Sequence, residues 1–198
     1  MGYTYLRPRS MPEKQDEAAR AAFREQAAKL AADPSVELWY QDESGFQGDP
    51  RPRRLLAPIG SRLLLPYTGA HRRESVIGAV RPADGRFVCL IMPQANTENF
   101  QLFLDHLQSY LGPRRVVMVL DNASWHKTRA LRWGRIEPRY LPPYSPDFNP
   151  IERLWLNLKA NFFATFAAHT QEQLTDHLST ALRFYIDQPD LCRSVCGG

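Results

Sequence analysis

The pattern of apolar and polar positions changes character twice along the chain. From Pro12 to Ala32 the residues are mostly Ala, Glu, Gln, Lys and Arg, which predicts a helix on propensity alone. Phe23, Ala27 and Leu30 are its only core-like positions, so this helix needs a partner surface on this chain or another. Asp33-Pro34 ends it. A short β-rich run, VELWYQ from Val36 to Gln41, then stops at Asp42-Glu43. Beyond a basic, Pro-rich stretch reaching about Arg73, Ser75–Val80 and Phe87–Met92 predict two strands. They are joined by PADG, whose Asp84-Gly85 is a hairpin signal. Phe100, Phe103, Leu104, Leu107 and Leu111 recur at helical spacing and predict a helix over Thr97–Leu111. VVMVL, Val116–Leu120, is apolar throughout, as expected of a strand covered on both faces. A short amphipathic helix is expected near Ser124–Trp133 and a strand near Ile136–Leu141. A helix follows from Pro150 to about Phe166. The last helix starts at Thr170, where Thr170 and Gln173 form a capping box. Three early strands with a hairpin, then alternating helices and strands, make a mixed sheet with helices on its faces. The fold class is α/β.

Composition narrows this only slightly. The 198 residues, 43% hydrophobic and 23% charged, suit one domain with a real core, with room for an appendage. No window approaches the ~18 continuous apolar residues of a membrane span. The N-terminus has neither the apolar core of a signal peptide nor, with Leu6 at the sixth position, a myristoylation pattern. These features predict a cytoplasmic protein without a membrane partner. Cys89, Cys192 and Cys196 read as reduced thiols, since they lack zinc-like pairing.

Charge adds more through its placement than through its net value of +4. Six arginines (51, 53, 54, 62, 72 and 73) fall between Arg51 and Arg73 with no acid among them. Five more and Lys127 lie between Arg114 and Arg135, against the single acid Asp121. Arginine suits phosphate, and a solvated surface built from arginine-rich codons explains the same counts.

The acids are the candidate chemistry. Asp42 and Asp121 each directly follow a predicted strand, and ligands gather at the carboxyl ends of strands in open α/β sheets. Neighbouring strands would bring the two side chains to one sheet edge; the bland reading is that each starts a turn. Glu152 opens the helix after PDFNP. Asn149 as cap, Pro150 as first helical residue and Glu152 as third make an Asn version of the capping box. The same position suits a metal ligand, and a helix start favours an ionised carboxylate. Three converging carboxylates need a cation, and Mg²⁺ is the natural hard partner for oxygen ligands.

QDESGF (41–46), VLDNASWHK (119–127) and YLPPYSPDFNPIERLW (140–155), with Lys159 beyond, resemble the catalytic domain of bacterial Tc1/mariner-like insertion-sequence transposases, in the DDE superfamily. The similarity spans about Val36 to Tyr185. It implies an RNase H-like core in which Asp42, Asp121 and Glu152 are the catalytic triad and hold two Mg²⁺ ions, with Mn²⁺ able to substitute. It implies cleavage at transposon ends, then attack of the freed 3′-hydroxyl on target DNA, typically at TA. Asn122, His126 and Asn149 are expected to support the acids. Arg53, Arg54, Arg72, Arg73, Lys127, Arg153 and Lys159 are expected to contact DNA. A homodimer acting in the bacterial cytoplasm, at the nucleoid, is the expected setting.

Three departures qualify the resemblance. The family usually carries N-terminal helix-turn-helix modules; residues 1–34 here resemble only the linker and helix that join them to the core, leaving 35–198 as the catalytic domain. Such a module is expected from a separate or frameshift-fused reading frame. Only 30 residues separate Asp121 from Glu152, a few fewer than usual, and the shortfall is expected near Leu131–Glu137. The chain also stops soon after its last expected helix. Two alternatives stay open: another RNase H-like nuclease, and a truncated fragment that only binds DNA or inhibits an intact relative.

Around the acids, Glu43 is expected to point away from Asp42, since strand side chains alternate. Lys159, seven residues after Glu152, lies on the same helix face. Trp39, Leu154, Trp155 and Leu158 read as core, and His71, His106, His169 and His177 as surface or helix-face residues.

Overall fold

The apolar runs pair into one five-stranded sheet. In the computed structural model, which describes residues 16–50, 58–62, 64, 65, 67, 69 and 71–197, the strands are β1 (Val36–Gln47), β2 (Arg73–Arg81), β3 (Arg86–Met92), β4 (Arg115–Leu120) and β5 (Ile136–Tyr140). Their order is β3-β2-β1-β4-β5. The first three strands are antiparallel neighbours, and β4 and β5 run parallel to β1. The helices are α1 (Glu17–Ala32), α2 (Thr97–Leu107), α3 (Ile151–Phe162), α4 (Gln171–Ile186) and α5 (Pro189–Cys196).

Alternation along the strands feeds two cores. Trp39, Val116, Met118 and Leu120 point to one face, where Phe100, Phe103, Leu104 and Leu107 of α2 cover them. On the other face, Val36, Leu38, Val117 and Val119 meet Phe23 and Leu30 of α1. The same face carries Val76, Val80 and Phe87 under Trp155 and Leu158 of α3 and the apolar sides of α4 and α5. Each fully buried side chain of this size contributes about 1.5–3 kcal/mol. The thin stripe of α1 thus finds its partner on the sheet.

Several boundaries move, each for a visible reason. β1 does not stop at Gln41; it runs on through Asp42 and Glu43 to Gln47, because β2 pairs with it as far as Gln47↔Arg73. Its polar residues satisfy the ladder as well as apolar ones would. The helix expected over Ser124–Trp133 is absent, with a single 3₁₀ turn at Ser124–Lys127 in its place. There the side chains of Gln101 in α2 and Gln108 just after it take the backbone groups that a helix would use. Gln101 accepts from Arg132 N–H (2.7 Å) and donates to Arg132 C=O (3.2 Å), and Gln108 donates to Trp133 C=O (3.1 Å).

α2 gives way at Leu107 to a 3₁₀ turn, Gln108–Tyr110, and α3 ends at Phe162 rather than Phe166. The capping box at Thr170 is present in both directions. After α4 comes a helix that periodicity does not announce. α5 has eight residues, and its buried Cys192 and Cys196 close the core. It packs so tightly on the β2–β3 turn that a Cβ on Gly85, at φ +73°, would lie 1.7 Å from the Pro189 carbonyl oxygen. All three cysteines are free. No helix of the described residues is long and apolar enough to cross a membrane.

Candidate active site

The register of β1 and β4 decides where the acids fall. Their last paired residues are Tyr40 and Val119; two positions further along lie Asp42, still in β1, and Asp121, just past the end of β4. Alternation turns Asp42 to the side of Leu38 and Tyr40, and Asp121 to the side of Val117 and Val119. Both therefore face the side covered by α1 and α3. Asp42 is not in a turn: it stays in the sheet opposite Gly78 of β2, at the point where β1 has outrun β4. Glu152, in the first turn of α3, lines the same open cleft of about 410 Å³, together with Asn122, residues 141–146 and Asn149.

The start of α3 is built differently from the expected capping box. The Asn149 side chain caps nothing. Its Nδ2 donates to the Gln41 carbonyl (2.9 Å), and the helix begins at Ile151 with no side-chain cap. A peptide carbonyl buried beside the sheet is a stronger claim on that amide than a helix end that water can reach. The result ties Glu152 to the strand residue next to Asp42. Asn149 Oδ1 is left buried without a hydrogen-bond partner among the described residues.

The three acids have different surroundings. Burial, with the charges of Glu152, Glu43 and Asp121, pushes Asp42 up to about 8. Burial also raises Glu152, with Lys159 opposing it, so the helix start does not win the protonation balance there. Asp121 is held below its ordinary value, first by a hydrogen bond to His126. The His126 ring is fully buried: Nδ1 lies 2.8 Å from Asp121 Oδ1 and Nε2 lies 3.0 Å from Glu43 Oε1. Burial opposes the charged ring, but these two carboxylates outweigh it and raise His126 to about 9. Phe100 packs on it at 4.4 Å, and Tyr140 donates to its carbonyl (2.9 Å). Glu43 does point away from Asp42, and it reaches Asp121 from behind through this ring.

Trp155 is a site residue that sequence reasoning assigned to the core alone. Its Nε1 donates to Asp42 Oδ2 (3.2 Å) while its rings stay buried. Gly78 makes the room: a Cβ there would lie 2.8 Å from the indole. The signal was the i, i+3 spacing of Glu152 and Trp155, which puts both on one helix face.

Other expected residues divide. Asn122 spans β4 and β5, donating to the Leu141 carbonyl and accepting from Lys127 Nζ, each at 2.5 Å. Lys127 also stands over the Tyr140 ring (4.9 Å). Lys159 donates to Ser44 Oγ (2.7 Å) and lies over Phe46 (5.1 Å), which places its charge near Glu152. Arg72 and Arg153 donate to the carbonyls of Ala168 and Cys196, both at 3.3 Å. The Arg153 contact turns it toward α5. Arg73 is exposed at the start of β2. Arg53 and Arg54 lie outside the described residues.

Among the described residues, no group of three His, Cys, Asp or Glu side chains is arranged to enclose an ion. The cleft instead offers carboxylate oxygens from three separate elements. That set suits Mg²⁺, which is usually held by one or two carboxylates and keeps the rest of its octahedron for water and phosphate. An Asp42 carboxyl raised to about 8 by burial and like charges is one that a cation would return to its ionised form.

Comparison with known proteins gives the family and the fold. Residues 37–175 match the family described as DDE superfamily endonuclease. The protein y4pE/y4sA of Sinorhizobium fredii is 31% identical over 116 residues, covering 58% of this chain and 86% of that protein. The 39 kDa protein of insertion element IS630 from Shigella sonnei is 25% identical over 127 residues, but the match spans only 36% of that longer protein. Among solved structures, the catalytic domain of Mos1 mariner transposase aligns over 97% of this chain and 98% of its own, with TM-score 0.59 and 16% identity. The Mos1 paired-end complex with Mg aligns with TM-score 0.67 and 16% identity, over all of this chain and 68% of that one. The five-stranded mixed sheet is therefore the RNase H-like fold, and the chain belongs to the DDE superfamily of endonucleases.

Proposed function

We propose that this chain is the catalytic part of an insertion-sequence transposase, cleaving DNA at transposon ends and joining the freed 3′-hydroxyl to target DNA. The observation that carries this reading is the meeting of Asp42, Asp121 and Glu152 in one cleft, from β1, β4 and α3. These three are assigned as the ligands of two divalent cations, Mg²⁺ or Mn²⁺. The Mos1 paired-end complexes, solved with Mg and with Mn, support that assignment by analogy of fold.

Two bound cations would activate the attacking oxygen and neutralise the leaving one in an in-line displacement. The chain's own residues do the rest. Asp42 and Asp121 are fixed by sheet register, Asp42 further by the Trp155 indole N–H and Asp121 by His126. Glu152 is fixed by the Asn149 tie to β1. Preorganisation of this kind is the main resource of phosphoryl-transfer sites, because there is little covalent chemistry for protein to supply. Lys127 and Lys159 flank the cleft where a phosphate backbone would enter, and Arg72 and Arg73 extend that surface. Synapsis of two ends would place two copies of this chain together, as a homodimer. Recognition of the terminal repeats is assigned to a helix-turn-helix module joined through residues 1–34.

A strand-transfer assay tests the reading, using a pre-cleaved 3′-hydroxyl end, a TA-containing target plasmid and Mn²⁺. Joined product supports it. Nicking without joining would favour a simple RNase H-like nuclease. Absence of both, while the chain still binds an intact relative, would favour an inhibitory fragment.

A further inference from the structure

Helix α1 lies before the family match, which starts at residue 37. Yet it carries the one buried arginine among the described residues. Arg20 reaches across to the loop between β5 and α3. Its Nη1 donates to Ser145 Oγ (2.8 Å) and Asp147 Oδ1 (3.1 Å), and its Nη2 to Asp147 Oδ2 (2.8 Å). The guanidinium lies 4.4 Å from the centre of the Phe148 ring, on which Phe23 also stacks at 5.6 Å. The fork grips a carboxylate with both arms and covers the next aromatic, a geometry that lysine cannot reproduce.

That loop is the wall of the cleft: residues 141–146 and Asn149 line it. It has little backbone pairing to hold it. Pro142, Pro143 and Pro146 donate nothing, and Tyr144 sits at φ +55°, which a bulky residue adopts only when its surroundings impose it. Side chains anchor the loop instead. Asn122 holds its start at Leu141, and Asn149 ties its end to Gln41. Arg20 holds the middle, and Ser145 Oγ passes the restraint on to the Pro143 carbonyl (3.1 Å). Beside this clamp α1 stands clear of β5, leaving an open groove lined by Ala19, Ala22, Phe23, Gln26, Tyr140 and Pro142. The hold on the loop is therefore local to Arg20, Phe23 and Arg24, whose guanidinium lies 5.5 Å from the centre of the Phe148 ring.

We propose that α1 is a working part of the active site, with Arg20 as a positioning residue. Through Ser145 and Asp147 it sets the shape of the cleft wall and the point at which α3 presents Glu152. Whatever displaces α1 releases the loop, so the docking of this helix controls the competence of the site. Only the activity measurement below rests on the proposed cleavage function.

Hydrogen exchange and plasmid nicking on the whole chain test the proposal, with Arg20→Ala, Asp147→Ala, the double variant and Arg20→Lys. Each Ala variant should speed exchange of the Tyr144, Ser145, Asp147 and Phe148 amides by about tenfold or more, with the sheet amides still protected. The same variants should lower the Mn²⁺-dependent nicking kcat by about tenfold to a hundredfold, the cost of misplacing reacting groups by about an ångström, with KM for plasmid little changed. The double variant should be no worse than Arg20→Ala alone, because Asp147→Ala removes only bonds that Arg20→Ala has already lost. Arg20→Lys should fall between. Unchanged loop exchange on loss of Arg20, or additive effects of the two Ala variants, would overturn the proposal. So would faster loop exchange with an undiminished nicking rate. If Arg20→Ala does not fold, Asp147→Ala removes the carboxylate that Arg20 grips, leaving the Ser145 bond, and decides from the loop side. If the wild type never nicks DNA, the cleavage reading fails, and loop exchange and its non-additivity still decide the clamp.

Discussion

At the scale of single residues, the site is an uneven set of acids. Asp121 is stabilised as a carboxylate by His126, whereas burial and like charge hold Asp42 up near 8. Asp121→Ala should abolish nicking, by at least about a thousandfold given the several kcal/mol that cation-held charge supplies. It should leave plasmid binding in a gel-shift assay intact, since the proposed phosphate contacts are the basic residues; loss of binding by a folded variant would contradict the metal-ligand assignment. The raised Asp42 also sets a pH dependence. Its folded value lies above its ordinary 3.8, so the folded chain keeps a proton that the unfolded chain releases between about 4 and 8. Stability of the metal-free protein therefore falls as pH rises through that window. His126, raised to about 9, adds to the loss as pH climbs from its ordinary 6.5. Calorimetry in chelator should give a higher Tm at pH 6 than at pH 9. Asp42→Asn should narrow that gap and be the more stable protein at pH 9; an unchanged gap would show that Asp42 is not the group responsible.

Helix α3 and strand β2 are fitted to one another at the element scale through a missing side chain. Gly78 lets the Trp155 indole approach the sheet closely and reach Asp42. Gly78→Ala forces the ring away, at a cost of about 1–3 kcal/mol for overpacking. It should also lower nicking, because the hydrogen bond that orients Asp42 is lost; urea unfolding and a nicking assay on the same preparation check both. Trp155→Phe separates the two effects: the core is largely kept, the donor is removed, and activity should fall with little change in urea midpoint. Elements with strong periodicity were legible in the sequence, as with β4, α2 and the Thr170 capping box. The segment 128–134 was not. Its backbone is satisfied by Gln101 of α2 and Gln108 of the 3₁₀ turn after it, and no local pattern encodes a partner about 25–30 residues away. Likewise α5 is too short for a period to show, and Asn149 had two possible claims on its amide that only the packed sheet could rank.

For the molecule as a whole, binding of DNA by this chain should be electrostatic and steeply salt-dependent. Log K should fall linearly with log salt, and replacing the exposed Arg73 by Ala should reduce the slope by about 0.9, one phosphate contact. An unchanged slope would remove Arg73 from the DNA surface. The three candidate acids could be named from the sequence, because QDESGF, VLDNASWHK and PDFNPIE carry them in recognisable surroundings. So could the α/β class, because side-chain periodicity is a local property that each segment carries by itself. Convergence was a matter for tertiary structure. Only the parallel register Tyr40↔Val119 sets Asp42 beside Asp121, and only the Asn149 tie brings Glu152 to them. The burial that raises Asp42, the His126 bridge and the Arg20 clamp belong to the same class. Each joins residues up to about 125 positions apart, and their free energy exists only once the intervening chain has folded and excluded water.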